Sequence, residues 1–137
     1  MLTGLNALGY INPTPIQEQA IPLVLKGCDV LGLAQTGTGK TAGFMLPILQ
    51  RLITGSLGAV RVLILAPTRE LAQQIHQTAV DLGKYTKIRS VVIYGGVSKG
   101  MQVKALNRGA EIVVACPGRL LDHISDGSID LSRVEML

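Results

Sequence analysis

Apolar residues in this chain come in two textures. Four short runs are almost continuously apolar: Cys28–Leu33, Val60–Ala66, Val91–Tyr94 and Ile112–Cys116. Runs of this length, rich in valine and isoleucine, predict strands buried on both faces, as in a parallel sheet. Between them lie amphipathic stretches. Leu71, Ile75, Ala79 and Leu82 share one face of a helix predicted over 69–83. Phe44, Ile48, Leu49 and Leu52 do the same in a helix that Pro47 is expected to kink. Shorter helices fit 99–108 and 117–126, with Gly109 and Gly127 as C-terminal stops. Val134–Leu137 reads as the first half of a fifth strand, and Thr54–Gly58 as a surface loop. Strand–helix alternation of this kind predicts a layered α/β fold: a mostly parallel sheet flanked by helices and joined by right-handed crossovers.

Composition narrows the class without changing the fold. A chain of 137 residues, 47% apolar and 16% charged, suits one globular domain with a real core. No window approaches the apolar length of a membrane span. Met1–Gly4 carries no basic leader, so the expected setting is cytoplasmic. Cys28 and Cys116 have no metal or redox spacing and are expected to be small buried fillers in a reducing compartment. A net charge of +4 is compatible with a polyanionic partner. With only Tyr10, Phe44, Tyr85 and Tyr94 as aromatics, a platform that stacks bases is not expected, so any nucleic acid would be held mainly by its backbone.

The chemistry concentrates after the first apolar run. Residues 34–41 read Ala-Gln-Thr-Gly-Thr-Gly-Lys-Thr. Gly37 and Gly39 let the backbone turn its N–H groups of Thr36–Thr41 toward a polyphosphate. Lys40 adds a point charge, and the Thr41 hydroxyl suits Mg²⁺. Only the Gly-Lys-Thr end is generic, because Ala34 stands where such loops usually begin with glycine. An ATPase of this class also needs an acid at the end of a strand to hold Mg²⁺, and none of Asp29, Asp81, Asp122, Asp126 or Asp130 ends an apolar run.

Four further segments admit both a structural and a functional reading. Thr14-Pro15-Ile16-Gln17 can be a helix start, with Thr14 as N-cap and Gln17 closing a capping box. The Gln17 carboxamide also matches the N6/N7 edge of adenine, and the phosphate loop that follows favours that role. Pro67-Thr68-Arg69 is either a capped strand-to-helix turn or a phosphate site at a helix N-terminus. Gly95-Gly96 is a tight turn by default, or a point of close approach by a nucleic-acid backbone. At Cys116-Pro117-Gly118-Arg119, Pro117 suits the first helical position. Arg119 opposes the helix dipole there, which favours an anion bound nearby.

These segments together resemble DEAD-box RNA helicases. Gly9–Gln17 resembles their Q motif, Ala34–Thr41 motif I with its alanine, and Pro67–Leu71 motif Ia. Gly95-Gly96 resembles the GG element, and Cys116–Arg119 motif Ib. The resemblance implies that residues 1–137 form the N-terminal part of the first RecA-like domain, a three-layer phosphate-loop fold. It implies ATP or ADP bound through Thr14, Gln17 and Thr36–Thr41, with Lys40 and Thr41 as catalytic groups and Thr41 on Mg²⁺. It implies RNA backbone bound at Pro67, Thr68, Arg69, Gly95, Gly96, Pro117, Gly118 and Arg119. The family's Asp-Glu-Ala-Asp and Ser-Ala-Thr motifs are not among these residues. Nor are its second RecA-like domain and the aromatic residue that packs on adenine. The family usually has threonine at Cys116, and cysteine is a poorer N-cap by about 0.5–2 kcal/mol. The expectation is therefore an ATP-binding part of an RNA helicase, not catalytic by itself. The alternative is a phosphate-binding or self-associating module without enzymatic activity.

Overall fold

The computed structural model describes residues 11–137. Among them are helices α1 (Pro15–Leu25), α2 (Lys40–Leu52), α3 (Arg69–Gly83), α4 (Lys99–Asn107) and α5 (Pro117–Ser125). The strands are β1 (Val62–Leu65), β2 (Ser90–Ile93) and β3 (Ile112–Ala115). All three strands are parallel, in the order β1-β3-β2. Leu65 and Ile93 both pair with Ala115, so the three strands end level with one another.

Successive side chains on a strand point to opposite faces, and the two faces carry separate cores. Val62, Ile112 and Val114 pack with α2 and α3 around Met45, Leu49, Leu52, Ile75 and Leu82. Leu63, Ile93, Val113 and Ala115 form the other cluster with Leu120 of α5 and Leu106 of α4. Helices thus lie on both faces, and the predicted three-layer α/β architecture is present. The helix predicted over 69–83 matches α3 end for end. Its buried face uses Ala72 where Leu71 was expected; Leu71 is exposed.

The first predicted strand is not formed. Residues 28–35 have no regular secondary structure, with Leu31 and Leu33 more than 80% exposed at 88% and 86%. A strand needs a ladder partner, and the outer edge of β1 is taken by Met136, which bridges Val62 in parallel. Val134–Leu137 therefore does start a fourth sheet position, as its pattern suggests. Cys28 is exposed with this segment and is no buried filler, while Cys116 is half-buried.

A charged clasp holds that fourth position. Arg61, 7% exposed, donates from Nε and Nη2 to the two carboxylate oxygens of Glu135 at 2.6 and 3.0 Å. A third donor, Nη1, reaches the Leu52 carbonyl at 3.3 Å. The guanidinium lies so close to Gly55 that a β-carbon there would overlap it. On the other side, the buried Glu111 carboxylate accepts from the amides of Gly58 and Arg89 at 2.6 and 2.7 Å.

The Arg61 bond holds the Glu135 carboxyl below the ordinary glutamate range. A carboxyl lowered on folding contributes stability above its unfolded value and loses it as pH falls through the folded one. Glu135→Gln should therefore lower the melting temperature near neutral pH and lose that difference progressively as the medium is acidified through the lowered carboxyl range. Thermal unfolding followed across that range by circular dichroism checks this; a deficit that persists at low pH contradicts it.

Candidate nucleotide and RNA sites

The phosphate-loop residues are positioned from below by α1. Gln17 is buried at 3% exposure, and its Oε1 accepts the Thr14 amide at 3.0 Å while its Nε2 donates to the Gly39 carbonyl at 3.1 Å. The Thr14 hydroxyl donates to the Thr38 carbonyl at 2.9 Å. The residues that start α1 are thus also the clasp that fixes the loop. Each Gln17 group retains capacity for one further bond, because a carboxamide carries two N–H donors and two oxygen lone pairs. Gly9 and Tyr10 lie outside the described residues.

Gly37 and Gly39 have φ of 82° and 86°, the left-handed region that glycine adopts without steric cost. Gly39 is the N-cap of α2, and the first helical bond runs from Gly43 N–H to its carbonyl. The amides of Lys40, Thr41 and Ala42 precede that bond and have no intrahelical acceptor, which suits an anion. Lys40 folds back, its Nζ donating to the carbonyls of Ala34 and Gln35. Thr38 Oγ1 donates to Gln35 O at 2.8 Å, Thr41 is half-buried, and Thr36 is exposed. The donor set fits a polyphosphate. It fits a metal less completely: among the described residues no three His, Cys, Asp or Glu side chains cluster as ligands.

The second group lies where the strands end. Three strand-to-helix turns emerge side by side because β1, β2 and β3 stop level. Thr68 caps α3, its hydroxyl accepting the Leu71 amide at 3.3 Å; Pro67, Thr68 and Arg69 are exposed. The Arg69 guanidinium lies 4.8 Å from the Tyr94 ring centroid, and Tyr94 OH accepts from Gln73 at 2.8 Å. Gly96 has φ of 81°, so this turn requires glycine there. Arg119 Nη1 donates to the Val97 carbonyl at 3.1 Å, and its Nε is 3.4 Å from Asp122. The turns bearing Arg69, Gly95-Gly96 and Arg119 therefore touch one another. Cys116 makes no side-chain cap bond to α5, in keeping with its poor capping chemistry.

At these turns, two glycines have no internal reason to be glycine. A β-carbon on Gly95 or Gly118 would meet nothing within 4 Å, and neither has positive φ. Gly118 occupies the first turn of α5, where glycine is a weak helix former.

The family model of the DEAD/DEAH box helicases matches residues 14–137. The chain belongs to this family. It is 50% identical over its whole length to the ATP-dependent RNA helicase DeaD of Escherichia coli K12, covering 22% of that protein. It is 46% identical to DEAD-box ATP-dependent RNA helicase 20 of rice, covering 28%. Among solved structures, it superposes on a DEAD box protein of Methanococcus jannaschii with a TM-score of 0.89 at 38% identity. That match covers 97% of this chain and 36% of the other. A hypothetical ATP-dependent RNA helicase of Sulfolobus tokodaii gives 0.87 at 41% identity, covering 97% and 38%. The chain spans about a quarter of the curated relatives and over a third of the solved structures. These comparisons fit the RecA-like reading of the sheet.

Sequence reasoning missed the buried polar residues around these sites. Gln102 and His123 are 6% and 0% exposed, and both lie behind the Gly95-Gly96 turn. Neither falls in a motif, and of the three apolar residues of α5 only Leu120 is buried, while Leu121 and Ile124 are exposed.

Both loop glycines have positive φ, but only at Gly39 would a β-carbon collide, 2.6 Å from Gln17 Nε2. Alanine in the left-handed region costs about 1–2 kcal/mol, so Gly37→Ala should destabilise by that much and Gly39→Ala by more. Urea unfolding of the two variants checks the order; equal losses would show that the Gln17 clasp gives way freely.

Proposed function

We propose that residues 1–137 are the N-terminal part of the first RecA-like domain of a longer, ATP-dependent RNA helicase acting in the cytoplasm. In the whole protein, ATP binding drives local strand separation and hydrolysis drives release. This chain supplies the phosphate loop and one wall of the RNA path. The amides of Thr36–Thr41 and the Lys40 ammonium bind the phosphates of ATP or ADP. Thr14 and Gln17 hold the loop, and the remaining donor and acceptor of Gln17 read adenine. The Thr41 hydroxyl would hold Mg²⁺, which when bound would neutralise charge on the nucleotide phosphates. With Thr41 as its one assigned ligand and no cluster of ligating acids among the described residues, the 137-residue chain binds nucleotide without appreciable turnover.

RNA backbone is assigned to Pro67, Thr68, Arg69, Gly95, Gly96, Pro117, Gly118 and Arg119. The observation that carries this is the pair of glycines without an internal cause. Gly95 and Gly118 stand beside Arg69 and Arg119, and the missing side chains leave room for a polyanion to approach the main chain. Such contacts track phosphate and carry no base information.

No helix among the described residues is long and apolar enough to cross a bilayer.

Lys40→Ala should weaken ADP binding by at least about tenfold, since one phosphate-paired charge is worth about 1.5–3 kcal/mol. Calorimetric titration tests this, and a single-turnover assay should find no Lys40-dependent ATP hydrolysis in the 137-residue chain. Hydrolysis that vanishes in Lys40→Ala would overturn the non-catalytic reading. Gly118→Ala should raise stability by about 0.5–1 kcal/mol and still weaken single-stranded RNA binding. Unchanged RNA affinity in that more stable variant would remove the main support for the RNA path.

A further inference from the structure

The two carbonyls that flank the Gly95-Gly96 turn are both held by side chains, one from α5 and one from α4. On one side, Val97 O accepts from Arg119 at 3.1 Å. On the other, Tyr94 O accepts from Gln102 Nε2 at 2.8 Å, and Gln102 Oε1 in turn faces His123 Nε2 at 2.9 Å. The direction of this relay is fixed by chemistry. A carbonyl only accepts, so Gln102 presents its N–H₂ to Tyr94 and its oxygen to His123, and His123 Nε2 carries the proton. His123 Nδ1 is 2.7 Å from Ser128 Oγ, which closes the network. Burial, with Lys99 and Arg119 nearby, holds the imidazole below its ordinary range, so it is neutral near pH 7 and its Nδ1 accepts from Ser128.

Neither Gln102 nor His123 reaches the surface where phosphate would lie: they are 6% and 0% exposed. A glutamine and a histidine in an otherwise apolar interface are costly unless every group is satisfied, and here each one is. Their shared product is the fixed position of one carbonyl, next to a two-glycine turn that has no side chains of its own to brace it.

We propose that Gln102 and His123 are positioning residues for RNA binding: a buried relay that fixes the Gly95-Gly96 turn against the N-terminal turn of α5. The inference rests on the reading that this turn meets the RNA backbone. Glycine turns are freely mobile unless tied, and a mobile turn presents its amides to phosphate only part of the time. The relay removes that loss of affinity without adding a charge.

The test uses the 137-residue chain, oligouridylate as probe, and amide-resolved NMR, which reads both exchange and weak binding. Gln102→Met should raise conformational exchange at Gly95, Gly96 and Val97, read as larger amide relaxation dispersion, leaving Gly37 and Gly39 unchanged. It should weaken oligouridylate about three- to tenfold with an unaltered salt slope, whereas Arg69→Ala should lower that slope by about one. Gln102→Glu still accepts from His123 but cannot donate to Tyr94, and should behave like Gln102→Met. His123→Gln, which can still donate to Gln102 Oε1, should recover part of what His123→Leu loses. A folded Gln102→Met with unchanged exchange and affinity overturns the inference. Raised exchange at the turn, with no oligouridylate shifts there even in the wild type, overturns the RNA reading and leaves the relay standing as a brace for the turn.

Discussion

The enclosure of β3 is the constraint on which the rest depends. Its four residues, Ile112–Ala115, are all fully buried and bonded to a strand on each side. A parallel ladder cannot be joined by a hairpin, so each strand must be followed by a helix that crosses back over a face of the sheet. That requirement sends every strand-to-helix turn out at the same end. Arg69, Gly95-Gly96 and Arg119 are far apart in sequence and adjacent in space for this reason alone. Phosphate-binding chemistry at helix N-termini then comes almost free from the topology.

The polar groups inside the domain serve placement more than stability. Glu111 spends both carboxylate oxygens on two backbone amides from different loops. Arg61 ties the last strand position to α2 and to Glu135. Gln17 and Thr14 do for the phosphate loop what Gln102 and His123 do for the glycine turn: a buried carboxamide grips a carbonyl of a segment too rich in glycine to hold itself. Leaving any of these groups unpaired would cost about 1–3 kcal/mol, so the arrangement is strongly specified even where its net contribution is small.

Much of this was legible in the sequence, and the exceptions have physical causes. The helix over 69–83 and the strands at 62–65, 90–93 and 112–115 follow from pattern, because burial on one or both faces writes a period into the sequence. The candidate loop and turns follow from Gly, Pro and Thr at fixed offsets. The strand read at 28–33 failed because apolar pattern reports a fitness for pairing and says nothing of a partner. The face of α3 was misread at Leu71, where a small Ala72 packs better against α2. Gln102, His123, Arg61 and Glu111 left no signal, since a buried polar residue is recognisable only once its partner is known.

The fold-back of Lys40 onto the carbonyls of Ala34 and Gln35 has a consequence for how any affinity at the loop is understood. Without a ligand, the ammonium already has neutral acceptors supplied by its own main chain. Nucleotide binding is therefore an exchange reaction, in which phosphate replaces carbonyl around a cation that is never bare. The observed affinity is the difference between two coordination states of one lysine. A change at Ala34 or Gln35 that loosens the resting state would strengthen binding without touching the ligand at all.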